Sequence, residues 1–310
     1  MSTATPTAYI IMNQGSGAGD KSALNRDIES AFSALGWRVE FIQVGGRSLR
    51  SRIRTTVTQA PGTIVVAGGD GTINTVAAAC LEANRPFGIL PAGTFNYVAR
   101  NLSLPTDIAE AVSVIVKGRT RPVDVGEING QIFLNNAGFG LYSQLVERRE
   151  LDKRRWGRNR VVAVLSGIRS LLGAHPLYEV VLTADGMTER LLTTTLFFGS
   201  NPLQMETFNT TAADCLRHHK LAVLSLKLHN RWQIAVAAVA ALLGRLDMAS
   251  SVDTFCASKV HVLTRRRALK VALDGEGEEI LAGTVRFERS REAVRGGKRV
   301  STSLDTNGFE

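Results

Sequence analysis

Through the first 118 residues, short apolar runs alternate with stretches of helical period, and most end at a glycine or a proline. Tyr9-Ile10-Ile11-Met12-Asn13 predicts a first strand, and Leu24, Ile28, Phe32 and Leu35 then recur at helical spacing until Gly36 stops the helix. Val39 to Val44 predicts a second strand, Leu49 to Val57 an amphipathic helix, and Thr63 to Ala67 a third strand. A helix-forming run follows (Val76, Ala77, Ala78, Ala79, Leu81), then a fourth strand from Pro86 to Leu90. Asp107 to Lys117 reads as a helix, with Asp107 as N-cap, Glu110 three residues on, and Gly118 as its stop. This alternation specifies an α/β domain with a parallel three-layer sheet, whose ligands bind beyond the carboxyl ends of the strands.

Beyond residue 118 the pattern changes. Arg121 to Ile128 and Gln131 to Asn135 predict strands joined by Asn129-Gly130, a strong hairpin signal. Helical patterns at Gly140 to Glu150 and Asn159 to Leu172 give way to strands at Leu177 to Ala184, Arg190 to Gly199, Lys220 to Leu228, Lys259 to Thr264 and Ala268 to Asp274, with a turn at Asp185-Gly186. Trp232 to Leu246 is a broadly apolar helix that either covers a sheet or touches a membrane. The expectation is a C-terminal antiparallel β-rich domain beginning near residue 122, followed by a polar tail.

Size and charge narrow the picture. At 310 residues the chain exceeds the usual limit of one core, so two domains are expected. Cys80, Cys215 and Cys256 are odd in number and far apart, which predicts neither a disulfide framework nor a zinc site and fits a reducing cytoplasm. Met1 to Thr7 lacks the character of a signal peptide, and no apolar run reaches the roughly 18–20 residues of a membrane span, so a soluble protein is expected. A net charge of +9 calls for an anionic partner. Its clusters, Arg148 to Arg160 and Arg265 to Arg267, lack the interleaved aromatics of a base-stacking platform. Nucleic acid is therefore set aside, leaving an anionic lipid surface or an ordinary solvated helix face.

The candidate chemistry lies at the strand ends. Ile64 to Ala67 stops at Gly68-Gly69-Asp70-Gly71-Thr72, where glycines let the backbone approach a ligand and helix N–H groups suit a phosphate. Asp70 beside bound phosphate is repulsive unless a divalent cation intervenes or the carboxylate takes a proton from the substrate. Asn13 and Thr94 follow other strand ends, so three loops are expected to converge on one crevice. Gly15 to Ser22 imitates a phosphate-binding Walker loop but carries Asp20 where glycine is required. Late in the chain, Asp274-Gly275-Glu276 follows a strand and reads either as a general base or as a plain Asp-Gly turn.

Taken together, these pieces resemble the diacylglycerol kinase-like lipid kinases, soluble bacterial enzymes related to sphingosine and ceramide kinases. The resemblance is carried by Asn13 to Gly17, Gly68 to Asn74, Pro91 to Arg100, Asp124, Asn135 to Gly140 and Asp274 to Glu276, in the family's order over nearly the whole chain. It implies a nucleotide-binding domain of the NAD-kinase-like type over residues 1–122 and a lipid-binding β-sandwich over 123–282. Residues 283–300 would return to the first domain, and 301–310 would form a flexible tail. The implied reaction moves the γ-phosphoryl group of ATP to a lipid hydroxyl with Mg2+. By position, Asn13, Gly68, Gly69, Asp70, Gly71, Thr72, Asn74, Thr94, Asn96 and Glu276 would contact the nucleotide, and Asp70 and Asp124 the metal. Asp274 would be the base, with Asp70 and Asp124 beside it in the catalytic set. The lipid would be met at an anionic membrane surface, and a homodimer stays open.

Two departures stand out. Tyr97 occupies a position where the family often has Asp, and Arg217-His218-His219-Lys220 replaces the Asp-Gly pair that accompanies a structural magnesium site. That site is expected to be absent. His218 and His219, read as adjacent residues of an extended segment, would point to opposite faces and chelate poorly. The rivals are an NAD kinase-like enzyme, which shares Gly-Gly-Asp-Gly-Thr, and a catalytically silent lipid or nucleotide sensor.

Overall fold

The computed structural model describes residues 5–14, 20–156, 177–207, 212–226, 233, 252–264, 268–281, 284–290 and 301–303. The expected helix at 159–172, most of that at 232–246, the glycine loop at 15–19, Arg158, Arg160 and Arg265 to Arg267 of the basic clusters, and most of the tail lie outside them. The chain divides into two compact units, Met1–Val123 with Arg291–Glu310, and Asp124–Ser290.

The first unit runs β1 (Thr7–Asn13), α1 (Lys21–Ala34), β2 (Arg38–Val44), α2 (Leu49–Gln59), β3 (Thr63–Gly68), α3 (Asp70–Glu82), β4 (Phe87–Pro91), α4 (Tyr97–Asn101), α5 (Ile108–Lys117) and β5 (Thr120–Pro122). Strands β2, β1, β3 and β4 pair in parallel in that order. Ala8, Ile10 and Met12 of β1 and Val65 and Ala67 of β3 pack against Ile28 and Phe32 of α1 and Ala111, Val112 and Ile115 of α5. Period-two alternation sends Ile11, Ile64 and Val66 to the opposite face, on the side of α2 and α3, and these three are also fully buried. The helix signals hold in detail: the Asp107 carboxylate accepts from the Glu110 N–H at 3.0 Å, and Gly118 closes α5 in the left-handed region at φ +70°.

The second unit continues with β6 (Val125–Ile128), β7 (Gln131–Phe133), β8 (Asn136–Gly140), α6 (Leu141–Trp156), β9 (Tyr178–Ala184), β10 (Met187–Thr193), β11 (Thr195–Gly199), α7 (Pro202–Thr207) and α8 (Ala212–Arg217). Then come β12 (Leu221–Leu226), β13 (Val252–Ala257), β14 (Lys259–Thr264), β15 (Ala268–Leu273), β16 (Glu276–Leu281) and β17 (Thr284–Ser290). They form two antiparallel sheets, ordered β10-β9-β14-β17-β6-β7 and β13-β12-β11-β8-β15-β16. Val180, Val260 and Val262 of one sheet share a core with Phe139, Phe198 and Val271 of the other. The expected α/β domain and antiparallel sandwich are both present, and the Asn129-Gly130 hairpin forms with both residues at positive φ (+46° and +85°).

Three expectations change. The single strand read from Arg190 to Gly199 is two, because Thr193 and Thr194 both donate to the Leu226 carbonyl and turn the chain from one sheet into the other. Thr284–Ser290 does not return to the first unit; it fills the place between β14 and β6, so neither is left as an exposed edge. The returning segment is β18 (Ser301–Ser303), which lies between β4 and β5 inside the stretch expected to be loose. The cysteine reading is also corrected: Cys215 and Cys256 form a disulfide, because α8 and β13, 41 residues apart in sequence, bring their Cα atoms to 5.1 Å. Such proximity is a product of topology and leaves no spacing signature. Among the described residues, no helix is long and apolar enough to cross a membrane.

Candidate functional site

In the first unit the parallel register aligns three strand ends. Met12 pairs with Ala67 and Gly68 with Pro91, so Asn13, Gly68 and Pro91 stand in one row at the carboxyl edge of the sheet. Gly69 then holds an extended conformation and α3 starts at once, with Asp70 as its first residue and Thr72 buried in its first turn. A Cβ on Gly93 would stand 2.5 Å from the Gly69 Cα and 2.7 Å from Asn96 Oδ1. The two glycine turns therefore meet backbone to backbone, which no side chain would permit.

Asn96 and Asp70 lock this contact. Asn96, left-handed at φ +49°, accepts from the Gly93 N–H at 2.9 Å and donates back to the Gly93 carbonyl at 3.1 Å. The Asp70 carboxylate accepts from the N–H groups of Tyr97 at 3.2 Å and Val98 at 2.8 Å. It thereby caps α4, a task that a residue ahead of a helix ordinarily performs for itself. Lying at the starts of both α3 and α4, its negative charge meets the positive ends of two helices. The repulsion expected between Asp70 and a phosphate is thus partly answered by backbone dipoles. Thr94 is exposed next to this contact, and Phe95, 53% exposed, stacks on Tyr97 with centroids 5.7 Å apart. Asn74 follows on α3, one turn beyond Asp70.

The second unit gathers a different polar set. Asp274 and Gly275 make a tight turn with positive φ at both residues (+48° and +82°), and β16 begins with Glu276. The Asp274 carboxylate accepts three backbone N–H groups, from Leu134 at 2.8 Å, Asn135 at 2.7 Å and Asn136 at 3.0 Å. The neighbouring side chains continue the network: Asn201 donates to Asn135 Oδ1 at 2.7 Å, Asn136 donates to Gln204 at 2.7 Å, and the Tyr142 hydroxyl donates to Asn136 Oδ1. Ser200, Asn136 and Asp274 lie at one end of the adjacent strands β11, β8 and β15, because Gly199 pairs with Asn136 and Leu273 with Ala137. Both readings of Asp274-Gly275 thus apply to the same residues, a tight turn and an oriented carboxylate.

Asp124 also has a partner that the sequence did not reveal. His219 Nδ1 lies 2.5 Å from Asp124 Oδ2. The two histidines are not on an extended segment but in a turn closing α8, with His219 at φ +57°. A cation at Asp124 would compete with that imidazole. Among the described residues, no group of three His, Cys, Asp or Glu side chains is arranged to hold a metal. Asp70 suits a hydrated Mg2+ held mainly by phosphate oxygens, since a carboxylate has about four lone-pair sites and the Tyr97 and Val98 amides take one on each oxygen. The remaining thiol, Cys80 on α3, is buried; desolvation pushes its pKa up to about 12 against the opposing effect of Arg85, which makes it a packing residue.

The first unit is of the open parallel α/β class that presents ligand at the carboxyl edge of its sheet. Residues 7–128 match the model of the diacylglycerol kinase catalytic domain, which bears out the resemblance to the diacylglycerol kinase-like lipid kinases. The diacylglycerol kinase of Bacillus subtilis is 46% identical over 85 residues, 26% of this chain and 28% of that protein. The diacylglycerol kinase of Staphylococcus saprophyticus is 45% identical over 84 residues, again 26% and 28%. The chain thus matches little more than a quarter of the length of these relatives. Among solved structures, a diacylglycerol kinase of Bacillus anthracis is similar over 98% of both chains, with a TM-score of 0.64 at 17% identity. Yeast NADH kinase complexed with NADH is similar over 97% of this chain and 84% of its own, with a TM-score of 0.54 at 12% identity. At those identities the likeness concerns the fold.

Proposed function

We propose that the chain is a lipid kinase that transfers the γ-phosphoryl group of ATP to the hydroxyl of a diacylglycerol-like lipid. The observation that carries this reading is the Gly69–Gly93 backbone contact, locked by Asp70 and Asn96 at the carboxyl edge of a parallel sheet. Residues 1–122 act as the nucleotide domain. Asn13, Gly68, Gly69, Gly71, Thr72, Asn74, Thr94 and Asn96 bind the phosphates through backbone N–H groups and short polar side chains. Asp70 positions the second glycine turn and meets the cation. Mg2+, when bound, neutralises charge on the transferred phosphoryl group.

The second unit supplies the acceptor side. Asp274, oriented by three N–H donors, takes the proton of the lipid hydroxyl as its oxygen bonds to the γ-phosphorus. The bond from that phosphorus to the β,γ-bridging oxygen breaks, and ADP leaves. Glu276 is a nucleotide contact, and Asp124 belongs with Asp70 to the metal and catalytic set. The net charge of +9 brings the protein to anionic membrane surfaces, where such a lipid resides.

The test is incubation of the purified chain with γ-labelled ATP, Mg2+ and vesicles containing diacylglycerol and anionic lipid. Label in the lipid fraction is expected. Label in NADP after addition of NAD would transfer the assignment to the NAD kinase-like alternative, and nucleotide binding without any labelled product would make the chain a sensor.

A further inference from the structure

The disulfide joins a buried sulfur to an accessible residue. Cys215 on α8 is 2% exposed, whereas Cys256 on β13 is exposed and lies on the edge strand of its sheet. Access largely decides which sulfur of a disulfide is attacked, and exposed bonds are the exchangeable ones. Apolar packing holds α8 independently of the bond, through Ala212, Ala213 and Leu216 against Ala222 and Leu224. Opening the bond therefore leaves the helix seated.

Cys215 also anchors the turn that closes α8. The Cys215 carbonyl accepts from the N–H of His218 at 3.2 Å and of Lys220 at 3.0 Å, and the His219 N–H donates to Leu216 O at 3.1 Å. This turn places the His219 imidazole on Asp124. The residue whose sulfur is tied to β13 is thus the residue on which the His219 turn is folded.

We propose that Cys215–Cys256 is a reversible thiol–disulfide exchange site, opened at Cys256 by a dithiol, and that its state sets how firmly the Arg217–Lys220 turn holds His219 on Asp124. A thiolate of the dithiol attacks Cys256 Sγ, the S–S bond breaks, and Cys215 leaves as a thiolate that takes up a proton. The second thiol of the reagent then displaces Cys256. The dithiol ends as a disulfide and the protein gains two thiols. The inference is independent of which molecule the chain phosphorylates.

The full chain is treated with dithiothreitol under native conditions, quenched, and alkylated in denaturant for mass analysis. With three cysteines and one bond, one alkylated thiol is expected before treatment and three after, returning to one on addition of oxidised glutathione. Hydrogen exchange should become several-fold faster at the His218 and Lys220 amides and stay unchanged at Leu134 to Asn136. Cys256→Ser should show the faster exchange without any reagent. A bond that opens only in denaturant, three thiols in the untreated oxidised chain, or unchanged exchange in the reduced chain or in Cys256→Ser overturns the proposal.

Discussion

Replacing Asp274 by Asn exchanges a carboxylate that meets three backbone N–H groups for an amide that can accept on one side only. With the amide oxygen toward Asn135 and Asn136, its NH2 faces the Leu134 N–H, donor against donor; flipped, it strands two donors instead of one. Leu134, Asn135 and Asn136 are 8%, 3% and 4% exposed, so water cannot readily replace the lost acceptor. One unsatisfied buried N–H costs about 1–3 kcal/mol, and the other two bonds lose their charge assistance, giving roughly 2–4 kcal/mol in all. At a urea slope of about 2 kcal/mol/M, the unfolding midpoint of the second unit falls by about 1–2 M. Urea titration followed by hydrogen exchange at β8 and β15 reads that shift, while ATP affinity, measured by calorimetry, stays near wild type. Phosphoryl transfer is expected to be lost. An unchanged midpoint refutes the structural part of this reasoning, and unchanged turnover in the labelled-ATP assay refutes the base.

Three further outcomes follow from the geometry. Asp70→Ala removes the cap of α4 and is expected to destabilise the first unit by about 1 kcal/mol, with a larger loss in ATP affinity; thermal unfolding and calorimetry of the same samples check both, and Asp70→Asn, which keeps one acceptor for Val98, should lie between. Gly93→Ala forces a Cβ to 2.5 Å from Gly69 and should cost roughly 1–3 kcal/mol while weakening ATP binding; wild-type affinity would argue against the backbone contact as the nucleotide platform. Binding to anionic vesicles should fall as salt is raised from 0.05 to about 0.5 M, since screening shortens the reach of exposed charges; co-sedimentation that ignores salt would exclude electrostatic docking.

Much of the fold was legible because it is written in local patterns. β1, β3 and β4 are apolar runs ended by small or turn residues, α5 carries its own cap and stop, and Asn129-Gly130 dictates its hairpin. The nucleotide turn was legible for the same reason: three glycines around an aspartate between a buried strand and a helix need no tertiary information to be noticed. The strand interruptions at Val123-Asp124, beside the boundary expected near residue 122, and at Thr194 were not legible, because a strand that leaves one sheet for another keeps the same alternation on both sides. Nor was β18, three polar residues whose strand character comes only from the β4 and β5 neighbours it meets.

The sequence by itself determined the element types, the parallel and antiparallel halves, and the chemistry available at the strand ends, since these rest on period, propensity and turn geometry within a few residues. The tertiary structure decided who meets whom. It turned Asp70 from a lone charge in a glycine turn into the cap of a helix 27 residues away, and set Asp274 on the backbone of Leu134 to Asn136. It also placed His219 on Asp124 and joined Cys215 to Cys256. Hydrogen bonds and disulfides act over about 3–6 Å, and only the packing of the sheets brings residues so distant in sequence within that reach.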